Sequence, residues 1–147
     1  MADHRAEQIM AAVQDLVTGL FTTGDHVDRG RADEIPPAQT PALRVAMGDD
    51  LIVDPWSSDL LDSHVEVSVF AIAATSAANV ETQLNQIRKE VNIALVTDYT
   101  LGLAFVHAIV ELGARRPSLA GELAKPVGAL ELQYQVKYRR SRTDPSA

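Results

Sequence analysis

The stretch of sequence that decides the fold is DSHVEVSVFAIAAT, at residues 62–75. Apolar side chains occupy every second position, which is the periodicity of a β-strand with one face in a protein core. On the other face the residues change from polar at Glu66 and Ser68 to apolar at Phe70 and Ile72. We therefore expect one end of this strand at the rim of a sheet and the other end covered on both faces. The core-facing positions are Val65, Val67, Val69, Ala71 and Ala73.

Four other segments of the chain have strand character. The clearest is Leu130–Arg139, where apolar and polar residues alternate without a break. Shorter strands are predicted at His26–Arg31 and at Ala42–Met47, with a proline-containing loop between them. Leu101–Leu112 fits a helix or a strand, and we favour a strand because glycines lie at its ends and β-branched residues fill it. Arg115–Gly128 is predicted as a connection because it contains two prolines.

Two amphipathic helices complete the pattern. The first is predicted from Asp3 to Phe21, with Asp3 as the N-cap and Gly24 as the residue that ends it. The second helix begins after a cap at Ser76 or Asn79. The apolar stripe of the first helix contains Ile9, Val13, Leu16, Val17, Leu20 and Phe21, and that of the second contains Val80, Leu84, Ile87, Val91, Ala94 and Leu95.

Length and composition set the size of the folded unit. The chain has 147 residues, 46% of them hydrophobic, and no cysteine, so one domain can bury a core without disulfides or thiolate metal sites. We predict an α+β domain at residues 1–140, a mainly antiparallel β-sheet with two amphipathic helices packed on one face, and a flexible tail at residues 141–147. The N-terminus lacks the basic start of a secretion signal. No apolar run reaches the roughly 20 residues that a membrane helix needs.

Charge is distributed unevenly along the chain. The formal net charge is −7, and residues 1–75 carry 13 acids and 4 bases while residues 76–147 carry 7 acids and 9 bases. Because clustered lysines and arginines are scarce, the composition argues against nucleic-acid binding as the main activity. A solvated acidic surface that maintains solubility is the most common explanation of such a bias.

The sequence lacks the motifs of familiar catalytic chemistry. It contains no phosphate-binding loop, no G-x-G-x-x-G turn and no nucleophile elbow. Its four histidines occur singly and not at metal-ligand spacing. His26 lies between Asp25 and Asp28 and could be an oriented base, but a surface histidine in a turn is favoured, and His107 is expected to be hydrogen-bonded and half-buried. We predict no catalytic residue, no cofactor and no metal site.

The segment Asp49–Asp62 combines five aspartates, no lysine or arginine, and the single tryptophan. Its carboxylates could bind calcium or magnesium, but the spacing does not match an EF-hand, and a solvated or partner-facing loop is favoured. We expect this loop to be mobile in the free subunit and to order against a neighbour. Trp56 either packs on its own core or anchors another chain, and the sequence leaves both alternatives open. The aspartates are Asp49, Asp50, Asp54, Asp59 and Asp62.

A small basic cluster lies near the C-terminus, at Arg139, Arg140 and Arg142. It lacks the stacking aromatics of a single-stranded nucleic-acid site, so we expect the arginines to pair with acidic neighbours. Combined with the acidic segment, the cluster gives the set of residues that we predict at a partner interface. These residues are Asp49, Asp50, Asp54, Trp56, Asp59, Arg139 and Arg140.

The order of elements and several short phrases resemble a known family. The phrases are PALRV at residues 41–45, PVGAL at residues 126–130 and YQVKYR at residues 134–139. They accompany an opening amphipathic helix, a long valine-rich strand and a second helix in the same order. This pattern resembles the tail terminator family of long-tailed bacteriophages (minor tail protein U-like) over about His4 to Arg140. The Asp49–Asp62 segment has no counterpart in the resemblance.

The resemblance implies a structural role in a virion. Members of the family form a ring, usually of six subunits, that caps the head-proximal end of the tail tube, ends tube polymerisation and provides a docking surface for the head–tail connector. The implied partners are the chain itself, the tail tube protein and a connector or neck protein, with DNA passing through the lumen without specific binding and no membrane involved. The implied location is the virion tail, after assembly in the cytoplasm of the bacterial host, and no catalytic residue is implied. The unlike charges of the two halves are compatible with a head-to-tail ring interface.

Two other classes of protein remain open at this point. One is a different virion component, such as a neck or head-completion protein or a tail tube subunit. A tube subunit would polymerise into open filaments, whereas a terminator would form a closed ring. The other is a small-molecule-binding or enzymatic α+β domain that uses the aspartate segment. An enzyme would show a concave pocket with convergent polar groups and strongly shifted pKa values.

Overall fold

The computed structural model describes residues 2–30, 33, 35–56, 58–74, 76–116 and 128–147. The predicted connection at Arg115–Gly128 therefore lies mostly outside the described residues. In chain order the elements are α1 (Arg5–Val17), β1 (Val27–Arg29), a short 3₁₀ helix (Pro37–Gln39), β2 (Ala42–Ile52), β3 (Leu60–Ile72), α2 (Val80–Val96), β4 (Val106–Arg115) and β5 (Ala129–Ser141).

The strands form one sheet in the order β1-β2-β3-β5-β4. The short β1 pairs with β2 in parallel, and the other three pairings are antiparallel. The predicted α+β class with a mainly antiparallel sheet is confirmed. β3 lies at the centre because it is the strand whose alternate residues pack on the core along its whole length.

One face of the sheet and both helices share a single core. The predicted inward residues of β3 are all fully or almost fully buried, and so are Leu132, Tyr134, Val136 and Tyr138 of β5. The hydroxyl of buried Tyr134 donates to Asn92 Oδ1 of α2 at 2.8 Å, which satisfies a polar group that burial would otherwise penalise. The core-facing residues of the helices are Ile9, Met10, Val13 and Val17 in α1 and Leu84, Ile87, Val91 and Leu95 in α2.

The ends of the helices differ in part from the sequence prediction. The N-cap of α1 is His4, not Asp3, because His4 Nδ1 accepts a hydrogen bond from the backbone N–H of Ala6 at 3.0 Å. α1 also ends four residues before Phe21, since Thr18 is extended and ends the helix. The cap of α2 is Asn79, one of the two predicted alternatives, whose side chain accepts from the N–H of Thr82 at 3.1 Å.

β4 begins later than predicted and is irregular. Residues 99–102 form turns, with Leu101 at a φ of 55°, so the strand starts at Val106 and not at Leu101. Register shifts against β5 occur between Val106 and Ala108 and again between Glu111 and Gly113. The first shift places His107 in a β-bulge, which breaks the alternation that predicted a half-buried side chain. His107 is exposed instead.

The acidic segment Asp49–Asp62 was predicted to be one long loop, and this prediction is wrong. β2 continues to Ile52 and β3 begins at Leu60, so only residues 53–59 connect the strands. The strand was hidden in the sequence by a bulge after Met47, where the register with β3 shifts by one residue. Gly48 suits this bulge because a Cβ there would lie only 3.1 Å from the Cβ of Glu66.

The C-terminal residues form backbone hydrogen bonds that the sequence did not predict. β5 extends to Ser141, whose N–H donates to the carbonyl of Ala147. The N–H of Arg142 donates to the carbonyl of Asp59 at 2.8 Å, and the carbonyl of Pro145 accepts from the N–H of Arg5 at 2.8 Å. Backbone hydrogen bonds of this kind leave no side-chain pattern, so the segment looked unstructured in the sequence.

Candidate interaction surfaces

The β2–β3 hairpin carries an apolar surface at its tip. The last pairs of the hairpin are Ile52 with Ser63 and the N–H of Val53 with the carbonyl of Asp62, at 2.9 Å. Beyond them Trp56 is 92% exposed, which rules out the alternative that it packs on its own core. Its backbone N–H donates to Asp54 Oδ1 at 3.0 Å, so the turn holds the indole in the open. We define the hairpin patch as the exposed apolar residues Leu51, Val53, Trp56 and Leu60.

The aspartates of the hairpin have two different roles. Asp54 and Asp59 lie beside Trp56 in the connecting turn, and Asp49 is exposed in the bulge. Asp50 is half-buried, and its Oδ2 accepts a hydrogen bond from the hydroxyl of Tyr138 at 2.6 Å. Burial, followed by this bond to Asp50, raises the pKa of Tyr138. Asp50 therefore ties the hairpin to the core, and the other three aspartates face solvent.

The predicted pairing of the arginines with acidic neighbours is confirmed for Arg139. Its Nε lies 2.9 Å from Asp62 Oδ1 across the β3–β5 pairing. Arg140 follows it on the other side of the strand, half-buried, and its Nη1 donates to the carbonyl of Ser141 at 3.1 Å. Of the seven residues predicted at an interface, the structure brings Asp54, Trp56 and Asp59 together at the tip, while Asp50, Arg139 and Arg140 serve contacts within the subunit.

The sheet face away from the helices contains polar pairs that the sequence analysis missed. Glu131 is only 6% exposed, and its carboxylate accepts from Ser68 Oγ at 3.0 Å and pairs with Arg115. Arg44 holds Asp28 through two hydrogen bonds of 2.7 and 3.0 Å, and that contact raises the pKa of the guanidinium. These residues occupy the polar positions of strands in which apolar and polar residues alternate. The alternation predicts which face of the sheet they lie on, but it does not predict which residues they pair with.

A second exposed apolar surface lies on the helical side of the molecule. Phe21, which the sequence placed in the stripe of α1, is 96% exposed. The next residue, Thr22, donates its backbone N–H to Glu90 of α2 at 2.8 Å, so Phe21 lies beside that helix. Ile93 and Val96 are exposed on α2 itself. We define Phe21, Ile93 and Val96 as the helix patch.

A cleft of about 280 Å³ lies beside β1. Asp25, His26 and Asp28 contribute to its lining, but Asp28 is already bound by Arg44. Within the described ranges, no three histidine or carboxylate side chains come close enough to share a metal ion. In the same part of the chain, no helix has both the length and the apolar character required to cross a membrane.

Comparisons with known proteins address the fold. Neither a protein-family model nor a curated protein matches the sequence. The structure is similar to a chain of a solved structure described as "Virion of native gene transfer agent (GTA) particle", with a TM-score of 0.51 and 18% sequence identity. The match covers 93% of this chain and 92% of that chain. At this identity, the similarity shows that the two chains share a fold over nearly their whole length.

Proposed function

We propose that the protein is a structural component of a virion and acts as a tail terminator. The observation that carries this proposal is the fold, which is shared end to end with a chain of a gene transfer agent virion particle. The match covers 93% of this chain and 92% of that chain. The resemblance of the sequence to tail terminators names the specific role within a virion.

The exposed patches support self-assembly as the mode of action. A closed ring requires a heterologous interface, in which two different surfaces of each subunit meet around a rotation axis. In the part of the chain that the structure describes, the hairpin patch and the helix patch are separate exposed apolar surfaces. Large apolar side chains in such clusters are typical of interaction sites. Six copies around an axis would produce the ring that the sequence resemblance implies.

The proposed activity is stoichiometric. A ring that binds the end of a tail tube with one face, and offers a different face to the connector, stops further polymerisation without converting a substrate. The net charge of −7 per subunit suits a channel for DNA, because acidic residues near the lumen would repel phosphates and favour passage over sticking.

Light scattering and negative-stain microscopy of the purified protein, across a range of concentrations, test this proposal. We expect closed rings of uniform size at high concentration. Open filaments that lengthen without limit would contradict the terminator role and indicate a tube subunit. A protein that stays monomeric at every concentration and does not bind tail tubes would contradict the assembly role altogether.

A further inference from the structure

We infer that the hairpin patch of one subunit binds the helix patch of a second copy of this chain. This inference rests on the proposed function and deepens it, because it names both surfaces of the contact between neighbouring subunits. It gives Trp56 a defined receptor on the neighbour, centred on Ile93 and Val96 of α2.

The hairpin patch has the character of an inserting surface. Trp56 is 92% exposed in the connecting turn, and Leu51, Val53 and Leu60 of the same hairpin are exposed as well. Trp is among the residues most enriched at binding hot spots because it buries a large apolar area with few rotatable bonds. Asp54 and Asp59 flank the indole and form no ion pair among the described residues. The tip therefore combines one aromatic anchor with two aspartates, and the Arg142 side chain lies at its base, where its Nε donates to the carbonyl of Ser58 at 3.2 Å.

The outer face of α2 has the complementary character. Leu84, Ile87, Val91 and Leu95 point to the core. With 100° of rotation per residue, Lys89, Ile93 and Val96 fall on the opposite side of the helix. This spacing of four and then three residues forms one exposed stripe of a cation followed by two apolar side chains. Within the described part of the chain, Lys89 takes part in no ion pair.

Charge favours a copy of this chain as the occupant. Residues 45–87 carry seven acids and no lysine or arginine, so the hairpin lies in the most acidic part of the sequence. The exposed stripe on α2 begins at Lys89, just after this stretch ends. A carboxylate of the tip next to Lys89 would orient the contact, while Trp56 and the apolar residues of both patches would supply most of the affinity.

The two patches are different surfaces of the subunit. The hairpin patch projects beyond the end of β2 that contains Ile52. Ile93 and Val96 lie on the outer side of α2, next to Asn92, whose side chain accepts a hydrogen bond from Tyr134 of β5 at 2.8 Å. When two different surfaces bind one another, subunits pair head to tail, which is the arrangement that closes into a ring.

Cysteine cross-linking tests the contact with little background, since the natural chain has no cysteine. Three full-length variants each receive one cysteine, by Val53→Cys on the hairpin, Ile93→Cys on α2, and Val110→Cys on the open face of the sheet as a matched exposed control. Val53→Cys retains Trp56. Each variant, and each pair of variants in equal mixture, is treated with a short bismaleimide at a concentration where scattering shows assembly.

A cross-linked dimer is expected from the mixture of Val53→Cys with Ile93→Cys, and not from either variant alone or from mixtures with Val110→Cys. Dimers of Val53→Cys alone would show a symmetric hairpin-to-hairpin contact and overturn the inference. Closed rings without the expected dimer would also overturn it and would leave the proposed function intact. Failure of assembly under all conditions would contradict the proposed function together with the inference.

A charge exchange provides an independent readout. Lys89→Glu should weaken ring association roughly two- to fivefold, the effect of an exposed ion pair. When Asp54→Lys and Asp59→Lys are added to the chain that carries Lys89→Glu, the ring association of this triple variant should return toward that of the natural chain. Lys137→Glu, which changes an exposed lysine on the open sheet face, is the control and should leave association unchanged. Loss without rescue would show that Lys89 does not face the hairpin.

Discussion

Asp62 and Arg139 are direct partners across the two central antiparallel strands, with Arg139 Nε 2.9 Å from Asp62 Oδ1 and Arg139 Nη2 3.3 Å from Asp62 Oδ2. His107, in the bulge of β4, approaches the same carboxylate to 3.3 Å. Three strands, β3, β5 and β4, thus meet at one acidic group next to the base of the hairpin. The contact links β3, one of the two strands of the hairpin, to β5 and β4.

The Asp62 contact predicts a pH-dependent contribution to stability. The hydrogen bond from Arg139 is the main cause that lowers the pKa of Asp62 to about 2, below its value of 3.8 without such partners. Because the folded pKa is depressed, the stabilisation is complete above about pH 4 and is lost as the pH falls through about 2. Asp62→Asn should therefore lower the free energy of unfolding at pH 7 by roughly 1 kcal/mol, after solvent screening.

Urea unfolding of the natural chain and of Asp62→Asn, measured at several values from pH 7 downward, checks this prediction. The difference between the two proteins should shrink below pH 4. Asp54→Asn, at an exposed turn position, is the control and should show a smaller difference. A difference that stays constant down to pH 2 would mean that the Asp62–Arg139 ion pair is not its source.

Gly128 is required for the close approach of β5 to α2. A Cβ at this position would overlap with Cγ1 of Val80, at the first turn of the helix. Gly128→Ala should destabilise the fold by about 1–3 kcal/mol, the usual effect of overpacking. Adding Val80→Ala should recover part of this loss, and chemical denaturation of the single and double variants measures it. If the effects of the two changes simply add, the residues do not compete for the same space.

Trp56→Ala should impair association far more than folding. The side chain is exposed in the isolated subunit, so its removal should change the melting temperature little, while a hot-spot tryptophan contributes about 2 kcal/mol or more to binding. Thermal unfolding and sedimentation of the same sample give both quantities. A large loss of stability with unchanged association would assign Trp56 to packing within the subunit.

Salt should weaken the ring moderately. The proposed contact pairs aspartates of the tip with Lys89, and exposed charges are screened beyond about 8 Å at physiological ionic strength. The dissociation constant of the ring should therefore rise between low and high salt, whereas purely apolar contacts would strengthen slightly or stay constant. In Lys89→Glu, with Asp54 and Asp59 unchanged, the salt dependence should reverse, because salt then screens a repulsion between like charges.

The elements that the sequence predicted well are those whose apolar residues recur with a regular period over a long stretch. β3 and β5 have a two-residue period that a half-buried strand requires, and both helices have a clear apolar stripe. The errors lie where the backbone departs from regular periods. The bulge after Met47 hid the second half of β2, and the bulge at His107 changed the expected exposure of that side chain, because one extra residue reverses the apparent face of the residues that follow.

The surfaces were harder to predict than the fold. The sequence left open whether Trp56 packs on its own core or is exposed, and the structure shows it 92% exposed, in a turn next to Pro55 and Asp54. The helix patch was missed, although Ile93 and Val96 lie outside the apolar stripe of α2 and could have signalled an outer apolar face. Phe21 was assigned to the stripe because nothing in the side-chain pattern shows that the backbone becomes extended at Thr18. The predicted mobility of the hairpin tip stays a prediction.

Tail length in particles that lack this protein tests the central claim most directly. The gene is deleted from its parent virion-producing genome, and the particles are measured by electron microscopy, with the natural gene supplied in trans as the control. The account predicts tails that are longer than normal, variable in length and not joined to heads, because nothing ends tube polymerisation or docks the connector. Tails of normal length joined to heads would contradict it.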